Sequence, residues 1–304
     1  MPIAWFNGQF IDDDAPAVAL RDTGLLHAAG VFTTMRARAG RVFRLTHHLA
    51  RLRASSEALF VPLKYSDAEL ASAIDEVLTR NNLADARLRL TVTRGQSTQD
   101  PLHGTHLTPN CFLTATDLQP YPATYYAQGL TVLLNDEQKL NPYDMQAGHK
   151  TLDYFSRLAA LREAVRRGAG ESLWFNVHNY LQCACVANVL VVKDRTLITP
   201  PTPEELRDPD VAAACPYPRS NVLPGITRGA VLELARRDNL AVRVAALNVN
   251  DLLAADEVFL TNSIMQVMPV GRIEKHAVGQ EVPGPVTQRV MDLYQEELNE
   301  GDGR

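Results

Sequence analysis

The fold of this chain is decided by the stretch Ala147-Gly148-His149-Lys150-Thr151-Leu152-Asp153-Tyr154. Two segments far downstream complete the pattern, Leu223-Pro224-Gly225-Ile226-Thr227-Arg228 and Thr261-Asn262-Ser263. The lysine precedes a predicted helix, and the two downstream turns offer hydroxyl groups and unpaired backbone N–H groups. An aldehyde cofactor that carries a phosphate needs a lysine amine and an anion-binding turn of this kind. The three segments therefore predict binding of pyridoxal 5'-phosphate.

Size and charge narrow the functional classes. The chain has 304 residues, of which 46% are hydrophobic, and is long enough to bury two cores. Its net charge of −5 argues against a basic field for nucleic acid or acidic lipid. The start lacks the features of a signal peptide, and no apolar run reaches the roughly 18 residues of a membrane span. We expect small-molecule substrates, no nucleic acid or membrane partner, and a cytoplasmic location.

The cysteines do not form a recognisable metal or disulfide pattern. There are four of them, Cys111, Cys183, Cys185 and Cys215, without paired C-x-x-C spacing. Reduced thiols and no metal site are therefore predicted.

The first half of the chain alternates predicted strands and helices. Apolar residues flank an Asn-Gly pair in residues 5–11, which predicts a hairpin, and a second hairpin is predicted around Gly40. Leucines at helical spacing predict a helix that carries His48 and Arg51 on one side. A capping box in residues 66–69 predicts the start of the next helix.

Residues 87–94 alternate strictly between polar and apolar types. This pattern predicts a strand with a buried apolar face and a polar face that carries Arg89. The pattern weakens around prolines further on, and we place a linker near residues 117–127. The sequence thus predicts two domains, 1–120 and 121–304.

The second half is predicted to mix strands with three helices. A helix is predicted over residues 151–167, ended by Gly168, and a long loop over residues 200–222, which hold six prolines. Further helices are predicted at 228–237 and 285–298, and strands at 130–134, 172–176, 189–192, 196–199, 242–245, 258–261 and 267–273.

Motifs along nearly the whole chain resemble the class IV aminotransferases, the fold-type IV pyridoxal-phosphate enzymes that include branched-chain and D-amino-acid aminotransferases and aminodeoxychorismate lyase. The resemblance implies an α/β fold, with a smaller N-terminal α/β domain and a larger C-terminal domain whose mixed sheet is barrel-like. It also implies a homodimer that acts on small amino and keto acids. The matching motifs are Trp5-Phe6-Asn7-Gly8, Gly30-Val31-Phe32-Thr33-Thr34-Met35-Arg36, His48-Leu49-Ala50-Arg51-Leu52, Thr93-Arg94-Gly95, Lys150-Thr151-Leu152-Asp153-Tyr154, Val186-Ala187-Asn188, residues 223–228, residues 261–263 and Gly284-Pro285-Val286-Thr287.

The resemblance also implies roles for individual residues. Lys150 corresponds to the catalytic Schiff-base lysine and proton carrier. The residues implied to bind the cofactor, besides Lys150, are Arg51, Tyr154, Cys183, Asn188, Gly225, Ile226, Thr227, Thr261, Asn262 and Ser263. The residues implied to bind substrate are Arg89, Arg94 and Thr33.

One position departs from the family pattern. A glutamate that pairs with the pyridine nitrogen is replaced by Cys183, and a neutral thiol with an ordinary pKa of about 8.5 cannot stabilise a pyridinium as a carboxylate does. The nearest carboxylates in sequence, Glu171 and Asp194, lie on separate predicted elements, and strand alternation points Gln182 away from Cys183.

The departure leaves three functions open. The first is an aminotransferase with altered chemistry, and the second is a 4-amino-4-deoxychorismate lyase, since an unprotonated pyridine suits elimination. The short pair Thr33-Thr34 resembles the lyase more than the aminotransferases. The third is a homologue that binds the cofactor but has impaired catalysis. We expect the loop at 200–222 to cover the active site or a subunit boundary.

Overall fold

A computed structural model of the chain describes residues 1–15, 17–97 and 107–300. The chain forms two compact units. The first contains Met1–Gln119, His149–Asp153 and the residues from Leu298, and the second contains Pro120–Gly148 and Tyr154–Glu297. The segment His149–Asp153 thus belongs with the first unit, although the sequence prediction assigned it to the second domain.

Within its described residues, the first unit contains a six-stranded antiparallel sheet and three helices. The strands are β1 (Ile3–Phe6), β2 (Gln9–Asp12), β3 (Gly30–Arg38), β4 (Arg41–Val42), β5 (Ala86–Ser97) and β6 (Leu107–Asp117), in the order β2-β1-β6-β5-β3-β4. The helices are α1 (Thr23–His27), α2 (Leu45–Ala58) and α3 (Asp67–Arg80).

Local sequence signals explain the turns and helix starts of this unit. Asn7 and Gly8 have φ angles of 49° and 89°, as a two-residue hairpin turn requires, so the first predicted hairpin is confirmed. Strands β3 and β4 confirm the second hairpin. The capping box is also confirmed, because the Ser66 side chain accepts a hydrogen bond from the backbone of Glu69 and the Glu69 carboxylate accepts one from the backbone N–H of Ser66.

Strand β5 has the two faces that its alternation predicted. Leu88, Leu90 and Val92 are buried in the core of the first unit. The opposite face carries Arg89, which is partly exposed. Burial of the apolar face stabilises the unit by roughly 25 cal/mol for each Å² of apolar surface removed from water.

The second unit contains a nine-stranded mixed sheet. Its strands are β7 (Leu130–Leu134), β8 (Glu171–Phe175), β9 (Leu181–Ala184), β10 (Asn188–Lys193), β11 (Thr196–Thr199), β12 (Ala241–Val244), β13 (Glu257–Asn262), β14 (Gln266–Ile273) and β15 (His276–Ala277). They follow the order β12-β11-β10-β13-β14-β7-β8-β9, with β15 paired to β14. The predicted mixed α/β fold class is confirmed.

Helices accompany this sheet. They are α4 (Ala123–Gln128), α5 (Phe155–Arg166), α6 (Pro209–Ala213), α7 (Ile226–Arg237), α8 (Val249–Leu253) and α9 (Pro285–Glu300), together with a 3-10 turn at Glu205–Arg207. Among the described residues, no helix has the length and apolar composition needed to cross a membrane.

Two sequence predictions were wrong in this unit. The helix predicted from residue 151 begins at Phe155, because the preceding residues pair with β3 and Thr151 forms a bridge with Val31. The loop at 200–222 is not irregular throughout, since it contains the 3-10 turn and α6. Asp208 caps α6 by accepting a hydrogen bond from the Asp210 backbone, which explains the short helix among prolines.

Candidate functional site

The backbone of Lys150 is fixed against strand β3. The Lys150 carbonyl accepts a hydrogen bond of 3.0 Å from the backbone N–H of Phe32, and the N–H of Leu152 donates to the carbonyl of Gly30 at 3.0 Å. A Cβ atom added at Gly30 would lie 2.6 Å from Leu152 Cδ1 and from the carbonyl oxygen of Val92. A glycine is therefore needed for this close approach, and it fixes where the lysine side chain begins.

The aromatic ring of Phe32 contacts two cationic side chains. The Nζ atom of Lys150 lies 4.5 Å from the ring centroid, and the guanidinium carbon of Arg89 lies 3.5 Å from it. Arg89 also donates from Nε to the Thr91 hydroxyl at 3.2 Å, along the polar face of β5. The face predicted for polar contacts therefore presents positive charge, which suits an anionic ligand group.

Thr33 is completely buried on the other face of β3 and connects two residues of helix α2. Its hydroxyl lies 2.7 Å from His48 Nδ1 and accepts a hydrogen bond of 3.1 Å from Arg51 Nη2. Burial lowers the pKa of His48 well below its ordinary value, and the positive charges of Arg51 and Lys150 lower it further. His48 is therefore neutral, and Thr33 orients Arg51. A substrate contact by Thr33 stays a prediction.

Arg94 lies near the end of strand β5. Its backbone N–H donates to the carbonyl of Ala29 at 2.8 Å, and its Nε atom is buried without a hydrogen-bond partner among the described residues. An unpaired buried donor costs about 1–3 kcal/mol, which a ligand can offset. The role of Arg94 in substrate binding stays a prediction.

In the second unit, helix α7 begins at Ile226 and buries the Thr227 side chain. Its N-cap residue, Gly225, has no side chain to satisfy the first N–H groups. A Cβ atom added at Gly225 would lie 1.9 Å from Asn188 Oδ1, and Asn188 Nδ2 donates to the carbonyl of Leu223 at 3.0 Å. The turn is held tightly while the helix N-terminus offers donors and a positive dipole to an anion.

The segment after strand β13 supplies a further donor. Thr261 is paired with Asn188 across the sheet, and its buried hydroxyl has no hydrogen-bond partner among the described residues. Asn262 fixes the turn, because its Oδ1 accepts from the N–H groups of Ile264 at 2.9 Å and Met265 at 2.8 Å. Ser263 follows in this turn and is partly exposed. An unsatisfied hydroxyl and an uncapped helix suit a phosphate group.

Cys183 lies on β9, a strand that the sequence did not predict, and is buried. It pairs with Trp174 on β8. Gln182 faces the other way, as predicted, and its Oε1 accepts from the Ser220 hydroxyl at 3.1 Å and the Asn221 N–H at 3.0 Å. These bonds attach the loop at 200–222 to the opposite face of β9. Whether the loop covers a site stays a prediction.

Arg157 is a residue that the sequence reasoning missed. Its Nη1 atom lies 3.3 Å from the Cys183 sulfur, to which it donates a hydrogen bond. Its guanidinium carbon lies 5.9 Å from the ring centroid of Tyr154 and 5.6 Å from that of Trp174. The available signal was its spacing, since it follows Tyr154 by three residues and so lies one helical turn away.

Glu171 is a carboxylate that is fully buried near Cys185. Its oxygens accept hydrogen bonds from the backbone N–H groups of Ser172 at 3.0 Å, Cys185 at 2.9 Å and Val186 at 3.0 Å. Burial raises the pKa of Glu171, and these bonds lower it by less. The carboxylate therefore binds backbone N–H groups and stabilises the turn between β9 and β10.

Comparisons with known proteins agree with the motifs. D-alanine aminotransferase of Bacillus licheniformis is 28% identical over 293 residues, which cover 96% of this chain and 96% of that protein. The crystal structure of Escherichia coli branched-chain amino acid aminotransferase matches with a TM-score of 0.88 and 26% identity, over 99% of this chain and 96% of that chain. The structure of a putative 4-amino-4-deoxychorismate lyase from Legionella pneumophila shares the fold, with a TM-score of 0.80 and 20% identity over 94% of this chain and 97% of that one.

A family model gives the assignment directly. The model of the family described as amino-transferase class IV matches residues 30–273, which is most of the chain. This range includes the Lys150 segment and both turns that suit a phosphate. The protein therefore belongs to the class IV aminotransferases and is an enzyme of that family.

Proposed function

We propose that this enzyme uses pyridoxal 5'-phosphate to transfer the amino group of a small amino acid or amino-substituted carboxylate to a keto acid. The observation that carries the proposal is the unpartnered buried hydroxyl of Thr261 together with the uncapped start of α7 at Gly225. These donors fit a phosphate, and the chain matches a family of aminotransferases over residues 30–273. When bound, the cofactor supplies an aldehyde that takes up the amino group and a ring that withdraws electrons from the α-carbon.

In this proposal Lys150 is the catalytic residue. Its Nζ atom would hold the cofactor through the aldehyde carbon until the substrate amine takes its place, and would then accept and return the α-proton of the substrate. The hydrogen bond from Phe32 to the Lys150 carbonyl fixes the backbone, so the amine swings from a fixed point. Contact with the Phe32 ring limits the directions in which Nζ can point.

The remaining residues are assigned to the phosphate and to the ring of the cofactor. We assign the phosphate to Arg51, Ile226, Thr227, Thr261 and Ser263, while Gly225, Asn188 and Asn262 hold the two turns in shape. Tyr154 is assigned to the phenolic oxygen of the cofactor, and Cys183 to the position of its ring nitrogen. The hydrogen bond from Arg51 to buried Thr33 fixes the direction of the guanidinium before ligand arrives.

Arg89 is proposed to bind the substrate carboxylate. Its guanidinium lies against Phe32, whose ring also contacts Lys150, so a carboxylate on Arg89 keeps the substrate amine near the lysine. Arg94 is proposed as a second carboxylate donor, because its Nε is buried without a partner among the described residues.

Borohydride reduction followed by peptide mapping tests the proposal. We expect one labelled peptide, modified at Lys150, and absence of the label from Lys150 would contradict the assignment. A spectral titration with L- and D-amino acids identifies the donor, since only a substrate converts the cofactor absorbance. A protein that binds the cofactor but shows no spectral change with any donor would be the impaired homologue.

A 4-amino-4-deoxychorismate lyase is the second candidate function. The observation that favours it is the thiol of Cys183, which cannot pair with a protonated ring nitrogen as a carboxylate does. Release of pyruvate without any keto acid acceptor would establish the lyase. Dependence of turnover on a keto acid would establish the aminotransferase.

The proposal includes a homodimer. Helices α1 and α5 each expose apolar side chains to solvent, with Leu25 61% exposed and Phe155 83% exposed. Exposed apolar surface of this kind is typical of protein–protein contacts. Light scattering after gel filtration should give twice the mass of one chain, and a monomer at micromolar concentration would contradict the proposal.

A further inference from the structure

Arg157 brings a permanent positive charge to Cys183. Three hydrogen bonds start from its Nη1 atom, to the Cys183 sulfur at 3.3 Å, the Ala184 carbonyl at 3.2 Å and the Cys185 carbonyl at 3.4 Å. These bonds leave Nε and Nη2 as further donors within the part of the chain that the structure describes. Its Nη1 atom thus fixes the guanidinium against β9 and the residue after it, and Nε and Nη2 can donate to another group.

The position of Arg157 is unfavourable for the helix itself. It is the third residue of α5, where the helix dipole favours negative rather than positive charge. Burial lowers the pKa of Arg157, but the neighbouring Cys183 thiol and Tyr154 phenol raise it by more, so the side chain stays charged. A charge kept at a local cost indicates a role beyond folding.

No described carboxylate neutralises this charge. Glu171, the buried carboxylate beside Cys185, accepts hydrogen bonds from three backbone N–H groups and, among the described residues, none from Arg157. The rings of Tyr154 and Trp174 flank the guanidinium, whose carbon lies 5.9 Å and 5.6 Å from their centroids. A neutral acceptor supplied by a ligand would satisfy these donors.

We propose that Arg157 donates a hydrogen bond to the ring nitrogen of the cofactor and keeps that nitrogen unprotonated. The inference rests on the proposed function, in which Cys183 faces this nitrogen. A guanidinium has five N–H donors and no acceptor, so it can bind a neutral pyridine nitrogen but repels a pyridinium. Arg157 therefore replaces the missing carboxylate with a group of opposite charge and opposite hydrogen-bonding character.

The consequence is a weaker electron sink. A neutral ring withdraws fewer electrons from the α-carbon than a protonated one, so removal of the α-proton by Lys150 becomes the slow step. We expect a primary isotope effect with α-deuterated donor. Replacing Cys183 with glutamate alone should restore little, because the new carboxylate would pair with Arg157 3.3 Å from the present sulfur.

The direct test is ¹⁵N NMR of the holoenzyme loaded with cofactor that is ¹⁵N-labelled at the ring nitrogen. In the wild type we expect the chemical shift of an unprotonated pyridine, independent of pH while the protein stays folded. Arg157→Gln should move the resonance upfield as pH falls, because the repelling charge is gone. Arg162→Gln, on an exposed position of the same helix, should leave the resonance unchanged.

A double variant sharpens the test. Cys183→Glu combined with Arg157→Ser should give a protonated nitrogen at neutral pH, whereas Cys183→Glu alone should not, so the two changes are non-additive. A protonated nitrogen in the wild type, or no response to Arg157→Gln, overturns the role of Arg157. Failure of the labelled cofactor to attach to Lys150 instead overturns the proposed function, and the two failures are therefore distinguishable. The wild-type spectrum decides the matter even if a variant does not fold.

Discussion

Two regions of the second unit differ in how far they follow the family. The turns at Gly225–Thr227 and Thr261–Ser263 carry the residues that the resemblance assigns to phosphate binding, and among the described residues the Thr261 hydroxyl has no hydrogen-bond partner and Gly225 gives α7 no side-chain cap. In the region around β9 and α5, Cys183 stands where the resemblance expects a carboxylate, and Arg157 donates a hydrogen bond to its sulfur. We therefore expect the first region to bind the cofactor as in the family and the second to tune the cofactor ring differently.

The proposed function assigns binding of the phosphate and tuning of the ring to separate residues. A phosphate is bound by hydrogen-bond donors and positive charge, so the loss of either weakens its binding. The ring nitrogen needs a partner that selects its protonation state, and a thiol with a guanidinium selects the opposite state from a carboxylate. A change of chemistry can therefore occur without a change in cofactor affinity.

The largest effect is expected from Lys150→Ala, which removes the proposed catalytic amine. Turnover should fall by roughly 10⁴-fold or more, because neither the covalent link nor the proton transfer can form. The fold should persist, since the contact with Phe32 uses the backbone carbonyl of Lys150. Steady-state kinetics and the cofactor absorbance measure the two losses. Lys64→Ala, at an exposed position, is the control, and turnover retained in Lys150→Ala would contradict the role of the lysine.

The phosphate side of the comparison is tested by two glycines, Gly225 just before α7 and Gly229 within it. Gly225→Ala places a methyl group where Asn188 Oδ1 would be 1.9 Å away, so we expect a loss of about 1–3 kcal/mol in the free energy of unfolding and roughly 10-fold to 100-fold weaker cofactor binding. Gly229→Ala meets nothing within 4 Å and should stabilise the helix by about 0.5–1 kcal/mol. Urea unfolding and cofactor titration measure both, and equal behaviour of the two variants would show that the Gly225 turn is not specialised.

A smaller effect with opposite signs is expected at Thr261. Thr261→Val removes a buried hydroxyl that has no partner among the described residues, so the cofactor-free protein should gain up to about 1 kcal/mol of stability while cofactor binding weakens by about tenfold. Thr199→Val should instead lose about 1 kcal/mol, because that hydroxyl donates to the Val189 carbonyl and accepts from Arg228 Nε. If Thr261→Val destabilised the cofactor-free protein as much as Thr199→Val does, the hydroxyl would have a structural rather than a ligand-binding role.

The contrast between the regions also explains what the sequence could predict. The hairpins, the capping box and the turn before α7 depend on residues that are adjacent in sequence, and those predictions were confirmed. The position of Arg89 on a polar strand face followed from period-two alternation. Local chemistry is sufficient where the elements are regular.

Long-range packing decided the features that the sequence could not predict. Strand β9 has only four residues, and the helix after Lys150 starts late because residues 151 and 152 bond to β3, far away in the chain. Arg157 meets Cys183 through the pairing of β8 with β9 and the position of α5, which no local pattern encodes. The contact between Arg157 and Cys183 therefore depends on tertiary structure and could not be predicted from local sequence.

The smallest effect is expected from a change in pH. Burial, followed by the charges of Arg51 and Lys150, lowers the pKa of His48 in the folded protein below the value of about 6.5 expected when unfolded. The unfolded chain therefore binds the proton first as pH falls, and stability declines from about pH 6.5 down to the folded pKa, with a slope of at most about 1.4 kcal/mol per pH unit. Above that range the contribution of His48 is constant.

Because His48 shares Thr33 with Arg51, which we propose to bind the phosphate, cofactor binding should weaken over the same pH range, whereas the guanidinium of Arg157 keeps its charge throughout. His48→Gln should flatten the dependence of unfolding free energy on pH below about 6.5, and His27→Gln, at an exposed position, should not. Urea unfolding at several pH values, combined with cofactor titration, measures both sides. If the wild type and His48→Gln lost stability in parallel, the buried imidazole would not be the acid-sensitive group, and Arg51 would owe its orientation to other contacts.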